Sequence, residues 1–291
     1  DFSNGENGGI TTLEDFESED AAFQNRARLE VYLKDAKSFM KGKRYFFDHN
    51  FRINPKKGNN NLYLTHQFTY ETKFFEYNQK TLASTVGNTQ ILHFGEAYVA
   101  GGINDQSRYN RMHNKVGAIY ENAVLGKFQF FAEDYRFNYF YDKVLILDSG
   151  IIPGSLSDEI NTVGGQYEYR KNKWNGVFTY SNSISNQSLT NFNAQLKYQI
   201  NAKNELQFQY QMLNKIPDHL YNLHQSSFIG YNWYYDFKNE KINNLEVIAK
   251  TQWFNASMQI SSLNDYLFFS NDATNPQQQI VTPKQYDKTI N

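Results

Sequence analysis

The sequence predicts an all-β protein, an antiparallel up-and-down transmembrane β-barrel of which this chain supplies a part with about eleven strands. Three observations predict it: aromatic residues in a polar average, apolar residues at every second position, and connections that alternate between short and long. Of 291 residues 17% are aromatic, chiefly 22 Tyr and 24 Phe, yet the mean hydropathy is −0.70. A soluble core would draw on Leu, Ile and Val as well. A barrel in lipid sets one face of each strand against hydrocarbon and the other against water, with aromatic rings at both interfaces.

Residues 1–23 are Gly-rich and then acidic (Glu14, Asp15, Glu17, Glu19, Asp20), which reads as a loop or linker. Their carboxylates lack the spacing of a Ca²⁺ loop. The partial barrel is expected over 24–291. Its first strand, 24–35, sets Leu29, Val31 and Leu33 against Arg28, Glu30 and Tyr32. A weaker run follows at 43–53. In 61–73, Leu62, Leu64, Phe68 and Tyr70 oppose Thr65, Gln67, Thr69, Glu71 and Lys73. Runs at 110–122 and 126–137 lead to 161–170, where Val163, Tyr167 and Tyr169 oppose Gln166, Glu168 and Arg170. After 174–183 the alternation is cleanest. Phe192, Ala194, Leu196, Tyr198 and Ile200 take one face and Asn191, Asn193, Gln195, Lys197 and Gln199 the other. Past the turn Asn201 to Asn204, Leu206, Phe208, Tyr210 and Met212 oppose Gln207, Gln209 and Gln211. A register slip of one residue would reverse both faces, so such a pattern fixes the facing. Runs at 244–252 and 255–266 complete the set, each near the roughly ten residues of a tilted membrane-spanning strand. Bacterial barrels are even-stranded, so an odd number predicts a larger barrel.

Asn122 to Leu125, Lys171 to Lys173, Asn201 to Asn204 and Trp253 to Phe254 read as short turns. Between them lie longer connections at 74–109, 138–160 and 214–243, with a middling one at 184–189. Short periplasmic turns on one rim and long extracellular loops on the other produce this alternation. A β-sandwich has no reason to keep its long loops at every second connection.

The formal net charge of −1 gives no case for nucleic acid. With no Cys there is no disulfide scaffold and no thiolate metal site. No apolar run is long enough for a transmembrane helix. The sequence contains no Gly-x-Ser-x-Gly, no His-Glu-x-x-His and no phosphate-cradling Gly loop with Lys, so no enzyme, cofactor or metal centre is expected. The six His are scattered, and His66 falls within the apolar parity of its strand.

The polar parity of the strands supplies candidate lumen-lining residues: Arg28, Glu30, Asp48, Arg52, Glu71, Lys73, Glu168, Arg170, Lys197, Glu246 and Lys250. Charge of both signs predicts weak discrimination between cations and anions, or ladders that fill a narrow lumen. Tyr45, Phe47, Trp174, Trp233 and Trp253 read as aromatic girdle or loop residues, with Phe75, Tyr77 and Tyr139 as further girdle positions. The rival reading of Tyr231-Asn232-Trp233-Tyr234-Tyr235 is a stacking platform for sugar.

Six stretches stand out: Arg26-Ala27-Arg28-Leu29, Lys43-Arg44-Tyr45-Phe46-Phe47-Asp48-His49, His66 to Lys73, Asn114-Lys115-Val116-Gly117, Leu263-Asn264-Asp265-Tyr266 and Pro283-Lys284-Gln285-Tyr286. Together they resemble the putative-porin family of Bacteroidota outer membranes. The region Asn214 to Trp253 is also similar to TonB-dependent receptor barrels, although nothing here resembles their plug. The resemblance implies a cell outer-membrane location among lipid and passive passage of small solutes without chemistry. The alternative it leaves is a structural or binding barrel with a closed lumen, serving other proteins of an uptake or secretion complex.

Overall fold

The computed structural model describes residues 33, 35–86, 89–148, 150–274 and 278–291. The acidic stretch 1–23, and Arg28 and Glu30 with most of the first expected strand, lie outside the described residues. The strands in chain order are β1 (Lys37–Arg52), β2 (Asn60–Gln79), β3 (Ser84–Val86), β4 (Thr89–Ile91), β5 (Ile103–Asn122), β6 (Gly126–Tyr141), β7 (Leu145–Leu147), β8 (Gly150–Ile152) and β9 (Ser155–Lys171). There follow β10 (Trp174–Ser183), β11 (Thr190–Asn201), β12 (Asn204–Lys215), a one-turn helix α1 (His219–Asn222), β13 (Leu223–His224), β14 (Trp233–Tyr234), β15 (Glu240–Lys250), β16 (Asn255–Asn264), β17 (Tyr266–Asn271) and β18 (Val281–Tyr286).

Ten of these strands form one antiparallel sheet in the order β1-β2-β5-β6-β9-β10-β11-β12-β15-β16, an up-and-down meander. The other strands pair as small hairpins within the connections or after β16. Ten of the expected strands are thus found in a single sheet. Among the described residues β1 and β16 do not pair with each other, and apart from one bridge between Leu263 of β16 and Ile290 each leaves one edge of backbone groups open.

Side-chain chemistry closes the short rim. Asn122 Oδ1 accepts from the N–H groups of Val124 and Leu125 at 2.8 and 2.7 Å, and Asn201 Oδ1 accepts from Lys203 at 2.9 Å. Thr251 Oγ1 does the same for Phe254 at 3.0 Å. These are Asx and Ser/Thr turns, in which a short polar side chain stands in for a backbone acceptor. Asn172 takes φ 54° in the two-residue turn between β9 and β10, a conformation Asn tolerates better than most residues. Gly126, at φ 98°, opens β6 where a Cβ would lie 2.3 Å from Glu168 O, so only Gly fits.

The long connections are shorter than the sequence predicts, because the strands run on. The expected loops 74–109, 138–160 and 214–243 contract to 80–102, 142–154 and 216–239. β2 and β5 have 20 residues each, roughly 65 Å of extended chain, well beyond a hydrocarbon band about 25 Å tall. Most of the buried apolar residues gather at that end: Tyr77, Ile103, Ile152, Leu223, Phe228, Trp233 and Leu267.

Candidate functional site

Loop 216–239 identifies the inner face of the sheet. It leaves β12 and lies against Tyr109 of β5 and Tyr139 of β6, where the His219 ring stacks on Tyr139 and Tyr139 stacks on Tyr109 at 4.3 Å. Register carries that facing to the other strands, since directly paired residues project to the same side. Asp48, Arg52, Glu71, Lys73, Glu168, Arg170, Lys197, Glu246 and Lys250 all fall on the inner face.

The inner charges pair along and across strands. Glu71 lies 3.0 Å from Lys73 and 2.5 Å from Arg111. Glu133 lies 2.9 Å from Lys115 and accepts from the Thr162 hydroxyl at 3.0 Å, and Lys127 lies 3.1 Å from Glu168. Such pairs remove the cost of a lone charge without building a ring of one sign. Arg111, His113, Lys115 and Glu133 extend the candidates taken from the sequence. Their signal was present, because Arg111, His113 and Lys115 sit at period two in a strand otherwise read as weak.

The outer face is apolar for a limited height. Counting from the short rim, β12 presents Leu206, Phe208, Tyr210 and Met212 before Asn214, and β6 presents Phe128, Phe130 and Ala132 before Asp134 and Arg136. β1 presents Phe51, His49, Phe47 and Tyr45 before Lys43 and Lys41. His49 opposite His66, and Asn114 beside Phe68, are polar exceptions within the band. Phe130 and Phe208 remain 69% and 43% exposed, so nothing among the described residues covers this surface. Above the band the outer face turns polar, and Arg136 lies 3.0 Å from Asp134 and 3.1 Å from Glu159.

Tyr45 and Phe47 therefore lie on the outer face. Trp174 lies there too, at the short rim, against Tyr198 at 4.5 Å. Trp253 is in the β15–β16 turn and 78% exposed. Trp233, by contrast, is 5% exposed inside loop 216–239, where its Nε1–H donates to Leu220 O at 2.9 Å, so its ring offers no open stacking face. Phe75, Tyr77 and Tyr139 also depart from the girdle reading. They sit beyond the band, on the inner face, where the extended strands carry the packed loops.

Loop 216–239 is anchored at several points. Asp218 N-caps α1, accepting from Leu220 N–H at 3.0 Å. Its bond with the His219 ring, together with that N–H, holds the Asp218 carboxyl below the ordinary range. Burial pushes His219 down in spite of Asp218. The Tyr141 hydroxyl donates to Leu223 O at 3.2 Å, and Gln225 Nε2 donates to Pro153 O at 2.6 Å, tying the loop to β6 and to connection 142–154. An isolated bridge joins Ala97 and Phe228, with Tyr98 N–H donating to Ser227 O at 2.9 Å and Ile229 N–H to Glu96 O at 2.8 Å. The β17–β18 hairpin packs on the same loop: Phe269 stacks on Tyr221 at 4.7 Å, and the Tyr231 hydroxyl donates to Gln279 O.

Between this loop and the β5–β6 wall lies a cavity of about 780 Å³, lined by Lys73, Tyr109, Arg111, Tyr139, Lys215 and His219 among others. Lys215 is paired with Glu240 at 2.8 Å. Further round the sheet the inner face is mostly uncharged amide and hydroxyl, including Asn193, Gln195, Gln209, Asn244 and Ser261. Such an arrangement offers hydrogen-bond donors and acceptors to polar molecules. Among the described residues no cluster of His, Asp or Glu is arranged to hold a metal ion.

A family model described as "Putative porin" matches residues 1–291. No curated protein matches the sequence.

Proposed function

The chain belongs to the putative porin family, and from that membership we propose that it forms part of the wall of an outer-membrane channel for small solutes, without chemistry of its own. The observation that carries this reading is the division of one sheet into two faces. The outer face carries an apolar band that starts at the short rim and runs for three or four outward residues per strand, and the inner face is polar with paired charges of both signs. Strand edges in lipid leave backbone groups unsatisfied at several kcal/mol each, so in this reading β1 and β16 are each paired with another strand in the closed barrel. Loop 216–239, folded onto the inner face, narrows the lumen and sets its size limit. Planar-bilayer recording of the full-length protein tests the proposal. Stable, weakly ion-selective steps are expected, and a correctly folded but silent barrel would contradict it.

The interlocking of connections 80–102, 142–154 and 216–239 with the β17–β18 hairpin favours a second reading. There the cap closes the lumen, and the barrel serves as a binding component of a surface assembly. A silent barrel that opens when loop 216–239 is deleted would support this reading over the first.

A further inference from the structure

The outer face carries cations where an ion pair within the protein is missing. Lys41 and Lys43 lie on β1 and Arg108 on β5, all exposed and all on the outer side of the sheet. Register places Lys41, Phe74 and Arg108 in one row across three neighbouring strands, with Lys43, Thr72 and Asn110 in a row nearer the apolar band. At a strand spacing of about 4.8 Å, the backbones of Lys41 and Arg108 stand roughly 10 Å apart, on either side of Phe74. The Arg108 guanidinium lies 6.0 Å from the centre of the Phe74 ring, and Phe39 lies 6.3 Å from it, so an aromatic floor underlies the group.

Among the described residues no carboxylate lies within ion-pair distance of these three cations. The nearest outward-facing acid along these strands is Glu76, one row further from the band, and it accepts instead from Gln106 at 3.4 Å. The contrast with β6 and β9 is direct, since Arg136 at the corresponding border is bound by Asp134 and Glu159. Cations just above a lipid-facing aromatic border, at Tyr45 and Tyr70, stand at the level of headgroups, whose phosphates can supply the missing charge. Long loops mark the extracellular side of such barrels, so the leaflet concerned is the outer one.

We propose that Lys41, Lys43 and Arg108, arranged around Phe74, bind the phosphates of a phosphorylated glycolipid in the outer leaflet. The proposal rests on the reading of this sheet as outer-membrane wall and adds to it a lipid site on one flank. Two separated phosphates suit the site better than one, because Lys41 and Arg108 reach it from opposite sides of the Phe74 ring.

The test is a titration of the full-length protein in detergent micelles with bisphosphorylated lipid A, its monophosphoryl form and phosphatidylglycerol, read by native mass spectrometry. The triple variant K41Q/K43Q/R108Q is measured beside the wild type, with its heat-modifiable mobility as the check that it folds. Preferred retention of the bisphosphorylated form, weakened about tenfold or more in the folded triple variant, is expected from the loss of charge-assisted contacts. Equal retention by the variant, or equal binding of phosphatidylglycerol, would overturn the proposal. Membrane fractionation separates the two levels of failure. A protein found in the outer membrane that ignores lipid A defeats the lipid site alone, whereas a protein found outside the membrane defeats the channel reading.

Discussion

Asp105 and Ser227, 122 residues apart, are joined twice: the Ser227 hydroxyl donates to Asp105 Oδ1 at 2.6 Å and the Ser227 N–H to Oδ2 at 2.8 Å. Ser226 Oγ adds a third bond to the same carboxylate at 2.6 Å. One side chain of β5 thus holds the middle of loop 216–239 onto the inner face. Hydrogen bonds to a charged acceptor are worth about 1.5–3 kcal/mol each. Asp105→Ala is therefore expected to release the loop, which limited proteolysis between 216 and 239 would register as faster cleavage. In a conducting barrel the same variant should show larger current steps than wild type. Unchanged cleavage and current would remove Asp105 from this role.

Acid should loosen the same loop. His224 is partly buried beside Trp233, and desolvation there pushes its pKa down to about 4 from an ordinary 6.5, with Asp105 opposing and His219 reinforcing the shift. Between those values the released loop binds the proton and the docked loop does not, so docking is fully favoured above pH 6.5 and weakens as pH falls towards 4. The difference is about 3 kcal/mol, an order of magnitude set by roughly 1.4 kcal/mol per pKa unit. Proteolysis of the loop should accelerate over that window, and His224→Phe should flatten the response. A wild-type rate independent of pH would count against this role for His224.

The two faces were legible wherever one side of a strand is an uncovered apolar surface and the other is polar. In β11 and β12 that condition holds over nearly the whole strand, and their bounds agree with the sequence pattern to within a few residues. It fails in the upper part of β2, where Phe74, Phe75 and Tyr77 populate both parities. There the inner side meets a packed loop and the outer side sets Phe74 between Lys41 and Arg108, so the period-two signal vanishes and the strand reads as a connection. The docking of loop 216–239 had no local signature. Asp105 and Ser227 are far apart in sequence, and Trp233 carries nothing that separates a buried loop anchor from an interface residue.

Gly164 should tolerate no side chain. A Cβ there would meet Phe131 Cζ at 2.5 Å and Tyr180 O at 2.6 Å, because the Phe131 ring lies over the Gly164 backbone with Lys115 Nζ 3.7 Å from the ring centroid. Gly164→Val must displace the ring or the strand, at about 1–3 kcal/mol or more. Its heat-modifiable band should convert at lower temperature than wild type. Gly165→Ala is the control, since its nearest contact would be Gln129 O at 3.3 Å. Equal transitions for both variants would show that the Phe131 packing is not limiting.

Charge should be tolerated on one face only. Phe130 lies mid-band on the outer face and is 69% exposed, so Phe130→Arg should cost about 2–4 kcal/mol of stability in lipid. Gln195→Arg on the inner face should cost little. Folding yields into lipid vesicles over a urea series compare the two, and similar losses would contradict the facing.

The most direct test of the central claim uses the chain's lack of Cys. Single cysteines are placed at Phe208 and at Gln209, neighbours on β12 with opposite facing. Single-channel current is then followed as a charged, water-soluble thiol reagent is added. The account predicts a stepwise fall in current for Gln209→Cys and none for Phe208→Cys. A response at Phe208→Cys with none at Gln209→Cys would contradict it.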